Sequence, residues 1–320
     1  MKKKVAIGID IGGTNTDFGI VDKEGNCLSK FRIRTDKYED VLLYLDELTK
    51  NLKQQIKELK GKYDITGIGV GAPNGNYFKG TIEFAPNLKW KGIVHLADLI
   101  EKRMHLPVVL TNDANAAAIG EMIYGAAKGM KDFIVITLGT GLGSGIVVDG
   151  KLLYGHDGYA GELGHTTVEP EGRLCGCGKK GCLEAYASAT GITRTVIEML
   201  KESDKPSILR SIKKNNISSK DIFLAAQKKD EIALAAFEYT GYILGIKLAD
   251  AITFSSPEAI ILSGGLANAG HFIFTPTKKY MEKYLLPFFQ KKVKLLPSKL
   301  TKDNAAVLGA AALVWTNKKR

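Results

Sequence analysis

The sequence predicts an α/β protein built from two similar units with a cleft between them. Two observations carry this reading. The stretch Ile7-Gly-Ile-Asp-Ile-Gly12-Gly-Thr-Asn-Thr16-Asp-Phe-Gly-Ile-Val-Asp22 recurs as Ile134-Val-Ile-Thr-Leu-Gly139-Thr-Gly-Leu-Gly143-Ser-Gly-Ile-Val-Val-Asp149. Both are strand, glycine-rich turn, strand, ending in Asp, which marks an internal duplication. The 320-residue length also suffices for two cores. The copies differ at one chemically useful place: Asp10 in the first corresponds to Thr137 in the second.

Taken in order, residues 5–11 read as a strand that breaks at Gly12-Gly13. Residues 18–21 return it, 22–26 turn, and 28–34 add a third strand. Val41, Leu42, Leu45, Leu48, Leu52 and Ile56 form one stripe at helical spacing and predict a helix over 38–59. A strand over 65–70 opens into the loop 71–76. Residues 94–104 read as a helix, and 107–111 as a short buried strand ending at Asn112-Asp113. A small-residue helix over 114–124 starts at that pair. Beyond the second copy come helices over 185–200, 219–227 and 232–254, then a buried strand over 259–262 that runs into Gly264-Gly265. A helix over 278–286, a strand over 293–296 and an alanine-rich helix over 304–315 complete the pattern. The domain organisation expected is a smaller N-terminal unit over 1–113, completed by a C-terminal helix within 304–320, and a larger unit over 114–303.

Composition is that of an ordinary soluble globular chain, 45% hydrophobic and 25% charged. The formal charge of +11 raises nucleic-acid binding. The lysines, however, are interleaved with acids and apolar positions, as on solvated helix faces, so no nucleic-acid partner is expected. Met1-Lys-Lys-Lys is followed by Asp10, Gly12 and Gly13, so no signal-peptide core forms. No stretch approaches the ~18 apolar residues of a membrane span. Four cysteines, three of them clustered, fit a reducing cytoplasm better than a disulfide scaffold. Cys27, alone in a turn, reads as a small side chain.

Two glycine-rich turns, one per unit, can each offer backbone N–H groups to a phosphate. Neither fits the P-loop or dinucleotide fingerprints. Two facing copies plus Gly264-Gly265 point to a nucleoside triphosphate lying across the cleft. Asp10, just before the first turn, would hold Mg²⁺ directly or through water; alone it could equally cap the turn. Asp113 opens a helix after a buried strand, where an ionised carboxylate is favoured and could accept a substrate proton. An ordinary N-terminal acid would look the same. Asn112, Glu162, His165 and Glu184 suit a polyol, because carboxylates and amides can bind vicinal hydroxyls.

His165, Cys175, Cys177 and Cys182 follow H-x9-C-x-C-x4-C. Four soft ligands suit a structural rather than a catalytic zinc, since none of the four positions stays open for water. A C-x-C is not the C-x-x-C of redox pairs. His95, His105, His156 and His271 have no matching partners and read as surface or loop residues.

In order, Asp10-Ile-Gly-Gly-Thr14, Asn112-Asp113, Leu138-Gly-Thr-Gly-Leu-Gly-Ser-Gly145, Gly161-Glu-Leu-Gly-His165, Cys175-Gly-Cys177-Gly-Lys-Lys-Gly-Cys182-Leu-Glu184 and Gly264-Gly265 resemble the sugar kinases of the ROK family, most of all its bacterial glucokinase branch. The resemblance covers nearly the whole chain. It implies an actin-like, ribonuclease H-like fold of two domains that close on sugar and ATP. Asp113 would then be the general base, with Asn112, Glu162, His165 and Glu184 on the ring hydroxyls. Asp10, Gly12, Gly13 and Thr14 would form the first phosphate loop, Thr140 and Gly141 the second, and Gly264-Gly265 would approach the nucleoside. His165, Cys175, Cys177 and Cys182 would hold zinc, with His165 serving metal and sugar through different ring nitrogens. Asn74, Gly75 and Asn87 lie where the family's small domain reaches the sugar, although Ala72-Pro-Asn-Gly-Asn76 stands where many members have Pro-Gly.

Regulators of the family carry an N-terminal helix-turn-helix. Here the first strand is expected at residue 5, which argues for an enzyme. The expectation is an ATP-dependent hexose kinase making a sugar 6-phosphate, with glucose the foremost acceptor. N-acetylmannosamine, N-acetylglucosamine, fructose and allose are alternative acceptors, and a non-catalytic sugar-sensing regulator is the alternative from another class. A cytoplasmic homo-oligomer, dimer or tetramer, is implied as well.

Overall fold

The apolar runs of the two repeat copies become the central strands of two five-stranded sheets with the same topology. The computed structural model describes residues 2–59, 61–300 and 305–316. In the first half, β1 (Lys3–Ile11), β2 (Asn15–Asp22) and β3 (Cys27–Arg34) form an antiparallel meander. It is followed by α1 (Val41–Glu58), β4 (Tyr63–Gly71), β5 (Gly75–Asn76), β6 (Thr81–Glu83), β7 (Ile93–Val94), α2 (Leu96–Met104), β8 (Val108–Thr111) and α3 (Asp113–Tyr124). The second half comprises β9 (Phe133–Leu138), β10 (Leu142–Val148), β11 (Lys151–Leu152), α4 (Ala189–Glu202), α5 (Ser219–Gln227), α6 (Glu231–Ser255), β12 (Ala259–Ser263), α7 (His271–Tyr284), β13 (Lys294–Pro297) and α8 (Ala305–Thr316). The sheet orders are β3-β2-β1-β4-β8 and β11-β10-β9-β12-β13, and β5, β6 and β7 make a third, small sheet.

Each sheet buries one face under long helices. Tyr44, Leu45, Leu48 and Leu52 of α1 and Leu96 and Ile100 of α2 cover the first sheet. Leu42, expected on the buried stripe, is instead 46% exposed, because the α1 core face is centred on the residues after it. α4 to α7 cover the second sheet. Of these, α6 is long and apolar enough by length and composition to cross a membrane, which corrects the expectation that no stretch comes near one. Ile232, Phe237, Leu244, Leu248 and Ile252 of this helix are buried in the second core, the packing of an apolar helix inside a folded domain.

The opposite faces meet through glycine. A side chain at Gly8 or Gly69 would run into the backbone oxygens of Val307 and Ala310, so α8 lies directly on β1 and β4. A Cβ at Gly143 or Gly145 would stand 2.8 and 2.6 Å from the side chains of Ala114 and Ala118, so α3 lies on β10 in the same way. α3 and α8 then touch at Gly120 and Gly309, where an added Cβ on Gly120 would come 2.8 Å from Gly309 Cα.

Other element bounds shift for local reasons. The helix expected over 185–200 starts at Ala189, because Ser188 caps it by accepting the Gly191 N–H at 3.0 Å. The preceding residues form a short 3-10 turn, Leu183–Ala185. The helix expected from 278 begins at His271 and runs through Pro276. The proline ring packs against the bare face of α6 at Gly241, and the helix forgoes one hydrogen bond there. Residue 94 belongs to β7 rather than to α2. Residues 304 and 317–320 of the expected C-terminal helix lie outside the described residues.

Candidate active site

Three parallel strand ends set the floor of the cleft. In register, Asp10 on β1 stands beside Gly71 on β4, and Gly71 beside Thr111 on β8. α3 starts at once: Asn112 Oδ1 accepts the Asn115 N–H at 2.7 Å, and Asp113 Oδ1 accepts the Ala114 N–H at 2.8 Å. A Cβ at Gly71 would lie 3.6 Å from Asp113 Cα and 3.7 Å from Asp10 Oδ1, so the two aspartates face each other across a residue with no side chain. Asp113 is exposed to solvent on one side, while protein packs around its carboxyl group. The resulting loss of hydration raises its carboxyl, against a smaller lowering by the backbone N–H bonds. Burial, then Asp113 and Asp17, push Asp10 up to about 7, with Lys30 opposing. A carboxylate held so high would be relieved by a cation beside it.

The glycine turns close over this floor. Gly12 N–H donates to Asn15 O at 2.9 Å, Thr14 is exposed, and a Cβ at Gly13 would meet Asn87 O at 2.7 Å. Asn87 therefore lies against the first turn. In the second turn Gly139 N–H donates to Gly141 O at 3.0 Å, and the Thr190 hydroxyl holds Thr140 O at 2.8 Å. Gly264, at φ +89°, packs 2.6 Å (from its would-be Cβ) to Leu138 O, which seats the third turn on the second. Gly265 caps a short 3-10 helix beside it. The turns differ in length: the last pairs are Ile11 with Thr16 and Leu138 with Leu142. The gap-free alignment of the repeats is thus one residue out beyond the second turn.

Glu162, His165 and Glu184 gather on the second half's wall. Burial raises the Glu162 carboxyl; His165 opposes, while Asp113 and Glu184 add to the rise. His165 turns Nε2 to Glu162 at 3.9 Å and Nδ1 to Cys175 Sγ at 3.7 Å, so its two nitrogens do face opposite ways. Glu184 Oε2 accepts the Leu142 N–H at 2.9 Å, and Oε1 lies 3.4 Å from Cys175 Sγ.

The His165, Cys175, Cys177 and Cys182 ligand atoms all lie within 4.8 Å of one another. Zn–S bonds of about 2.3 Å in a tetrahedron separate sulfurs by about 3.8 Å, and Cys177 and Cys182 stand 3.7 Å apart. The donor set and spacing fit a structural zinc. Burial pushes the Cys175 thiol up to about 12, so a thiolate there calls for a cation beside it. His95, His105, His156 and His271 are all exposed.

On the first half's wall, Asn74 sits at φ +51° with its amide donating to Glu83 O at 3.0 Å. Gly75 is pressed onto the Thr111 carbonyl. The sequence reading passed over three residues here. Asn76, buried, donates to Asp157 O at 2.7 Å; Glu83 accepts from the Tyr159 hydroxyl at 2.6 Å. A hydroxyl and an acid flanking an apolar strand residue (Thr81-Ile-Glu83) were the only available hint.

A family model described as "ROK family" matches residues 6–317. The chain belongs to the ROK family. Over 318 residues it is 38% identical to a glucokinase of Halalkalibacterium halodurans, covering 98% of this chain and 96% of that one. A Thermotoga maritima glucokinase is 35% identical over 319 residues, 98% of each. The crystal structure of a ROK family glucokinase from Streptomyces griseus in complex with glucose and AMPPNP superposes with a TM-score of 0.81 at 35% identity, covering 98% of this chain and 100% of that one. The two-domain actin-like, ribonuclease H-like fold expected of a ROK chain is borne out.

Proposed function

We propose that this ROK chain is an ATP-dependent glucokinase. It would transfer the γ-phosphoryl group to the 6-hydroxyl of glucose. The observation that carries the reading is that the second glycine turn meets the start of α3: a Cβ at Gly143 would stand 2.8 Å from the side chain of Ala114, next to Asp113, and Glu184 accepts the Leu142 N–H beside it at 2.9 Å. Asp113 accepts the hydroxyl proton as the new P–O bond forms and the bond to the leaving β-phosphate oxygen breaks. Its raised carboxyl brings its basicity nearer to neutral pH, where it is a better proton acceptor than an ordinary aspartate.

Asn112, Glu162, His165 (through Nε2) and Glu184 hold ring hydroxyls from one side, and Asn74, Gly75 and Asn87 from the other. Gly12, Gly13 and Thr14, then Thr140 and Gly141, present N–H groups to the phosphates, and Gly264-Gly265 lie beside the nucleoside. Asp10 would hold Mg²⁺, which when bound neutralises charge on the phosphates. His165, Cys175, Cys177 and Cys182 would hold zinc, which keeps the His165 and Glu184 segments in place. The domain division proposed is 1–113 with the C-terminal helix, and 114–303. A cytoplasmic homo-oligomer, dimer or tetramer, completes the reading.

The test is ADP release, with and without Mg²⁺, over a panel of hexoses and N-acetylhexosamines. Glucose should give the highest kcat/KM. Turnover of none of them would remove the kinase reading, and preference for an N-acetylhexosamine would remove glucose as the acceptor.

A further inference from the structure

We propose that Glu83 and Tyr159 form a positioning pair that fixes the spacing between the two walls of the sugar site; this rests on the glucokinase reading above. Their hydrogen bond, Tyr159 hydroxyl to Glu83 Oε2, is 2.6 Å long and joins residues 76 apart in sequence, one from β6 and one from the segment after β11.

Glu83 is a firm post. It is buried, and its other oxygen accepts from Thr81 Oγ1 at 2.8 Å and Lys79 Nζ at 3.1 Å. The Tyr159 bond, then these two partners, hold the carboxyl below the usual glutamate range. It is therefore an ionised acceptor, which strengthens each bond it receives. The Glu83 backbone oxygen accepts the Asn74 amide, so the same residue fixes a sugar-wall asparagine.

Tyr159 stands three residues before Glu162. Gly158 and Gly161, at φ +94° and +95°, fold that segment tightly, and the Ser144 hydroxyl pins Gly161 O to β10. Glu162 thus hangs from two tethers, Ser144 on β10 of its own half and, through Tyr159, Glu83 on the opposite wall. The Asn76–Asp157 bond and the Tyr77–Tyr154 stack, at 3.9 Å between centroids, run alongside. Glu83 and Tyr159 make no hydrogen bond to either glycine turn among the described residues, so the pair is expected to act on sugar and not on nucleotide.

The experiment compares Tyr159→Phe, Glu83→Gln and the double variant with wild type, varying glucose and ATP separately. Each single variant should raise the KM for glucose roughly five- to tenfold and move the KM for ATP by less than about twofold. The double variant should be no worse than the worse single one, since Tyr159→Phe removes the bond and Glu83→Gln removes the charge that strengthens that same bond. An unchanged glucose KM, equal rises in both KM values, or additive losses in the double variant would each overturn the pair. If wild type phosphorylates no hexose, the glucokinase reading falls instead. Amide hydrogen exchange over residues 157–165 still decides the pair in that case: faster exchange in both variants supports it and equal protection refutes it.

Discussion

Glu184 accepts the Leu142 N–H at 2.9 Å, while its second oxygen stands 3.4 Å from Cys175 Sγ. One carboxylate thus links the cysteine knot to the end of the second glycine turn. Glu184→Ala should therefore raise the KM for ATP as well as for glucose, each about tenfold, the scale of one lost charge-assisted hydrogen bond. Initial rates with each substrate varied in turn check this. A rise confined to glucose would show that the turn holds itself.

Asp113→Asn should fold and bind sugar but lose kcat by about a hundred- to ten-thousandfold, the contribution of a positioned base. Near-normal turnover would exclude Asp113 as the base.

The raised Asp113 carboxyl also sets two pH signs. Activity needs the ionised form, so kcat/KM should fall with acid at a pH above the ordinary aspartate value of 3.8. For stability, a carboxyl raised by folding binds its proton more tightly in the native state. Its stabilising contribution is present below 3.8 and lost as pH rises through the native value. Asp113→Asn should accordingly melt no lower than wild type at pH 8, and higher if no compensating contact is lost. Thermal melts at pH 5 and pH 8 measure the difference, and a Tm loss confined to pH 8 would contradict it.

Purified protein should contain about one zinc per chain by elemental analysis. Cys177→Ser should lower zinc content, Tm and glucose affinity together, because the knot carries His165 and adjoins Glu184. Metal-free protein that keeps full glucose affinity would refute this role.

Gly69→Ala should be among the most damaging small substitutions, costing about 3 kcal/mol or more. Its methyl group would collide with the Ala310 backbone, which cannot yield without moving α8. Urea unfolding of the variant measures the loss.

Much of this was legible in residue pattern. The duplicated hairpin announced two sheets of one topology, and the buried strand before Asn112-Asp113 announced the helix whose first turn holds Asp113. The His165–Cys182 spacing announced the knot. What escaped depended on tertiary contact. Pro276 inside α7 packs where Gly241 leaves room for its ring, and α4 starts late because the Ser188 side chain competes for the first turn. Leu42 lies on the apolar stripe yet faces solvent. The Glu83–Tyr159 bond could not be read at all, since nothing in either local sequence names the other.

The placement of α8 has a consequence for how the chain is made. Its residues, 305–316, lie against the bare faces of Gly8 and Gly69, the two central strands of the first sheet. Those strands are made before α8 and before every element of the second sheet, so that face must wait for α8 to be covered. The first half cannot complete its fold during synthesis as an independent N-terminal domain would. Its central sheet stays open on one side until α8 has been made, and closing it demands contacts of very long sequence separation, which form slowly.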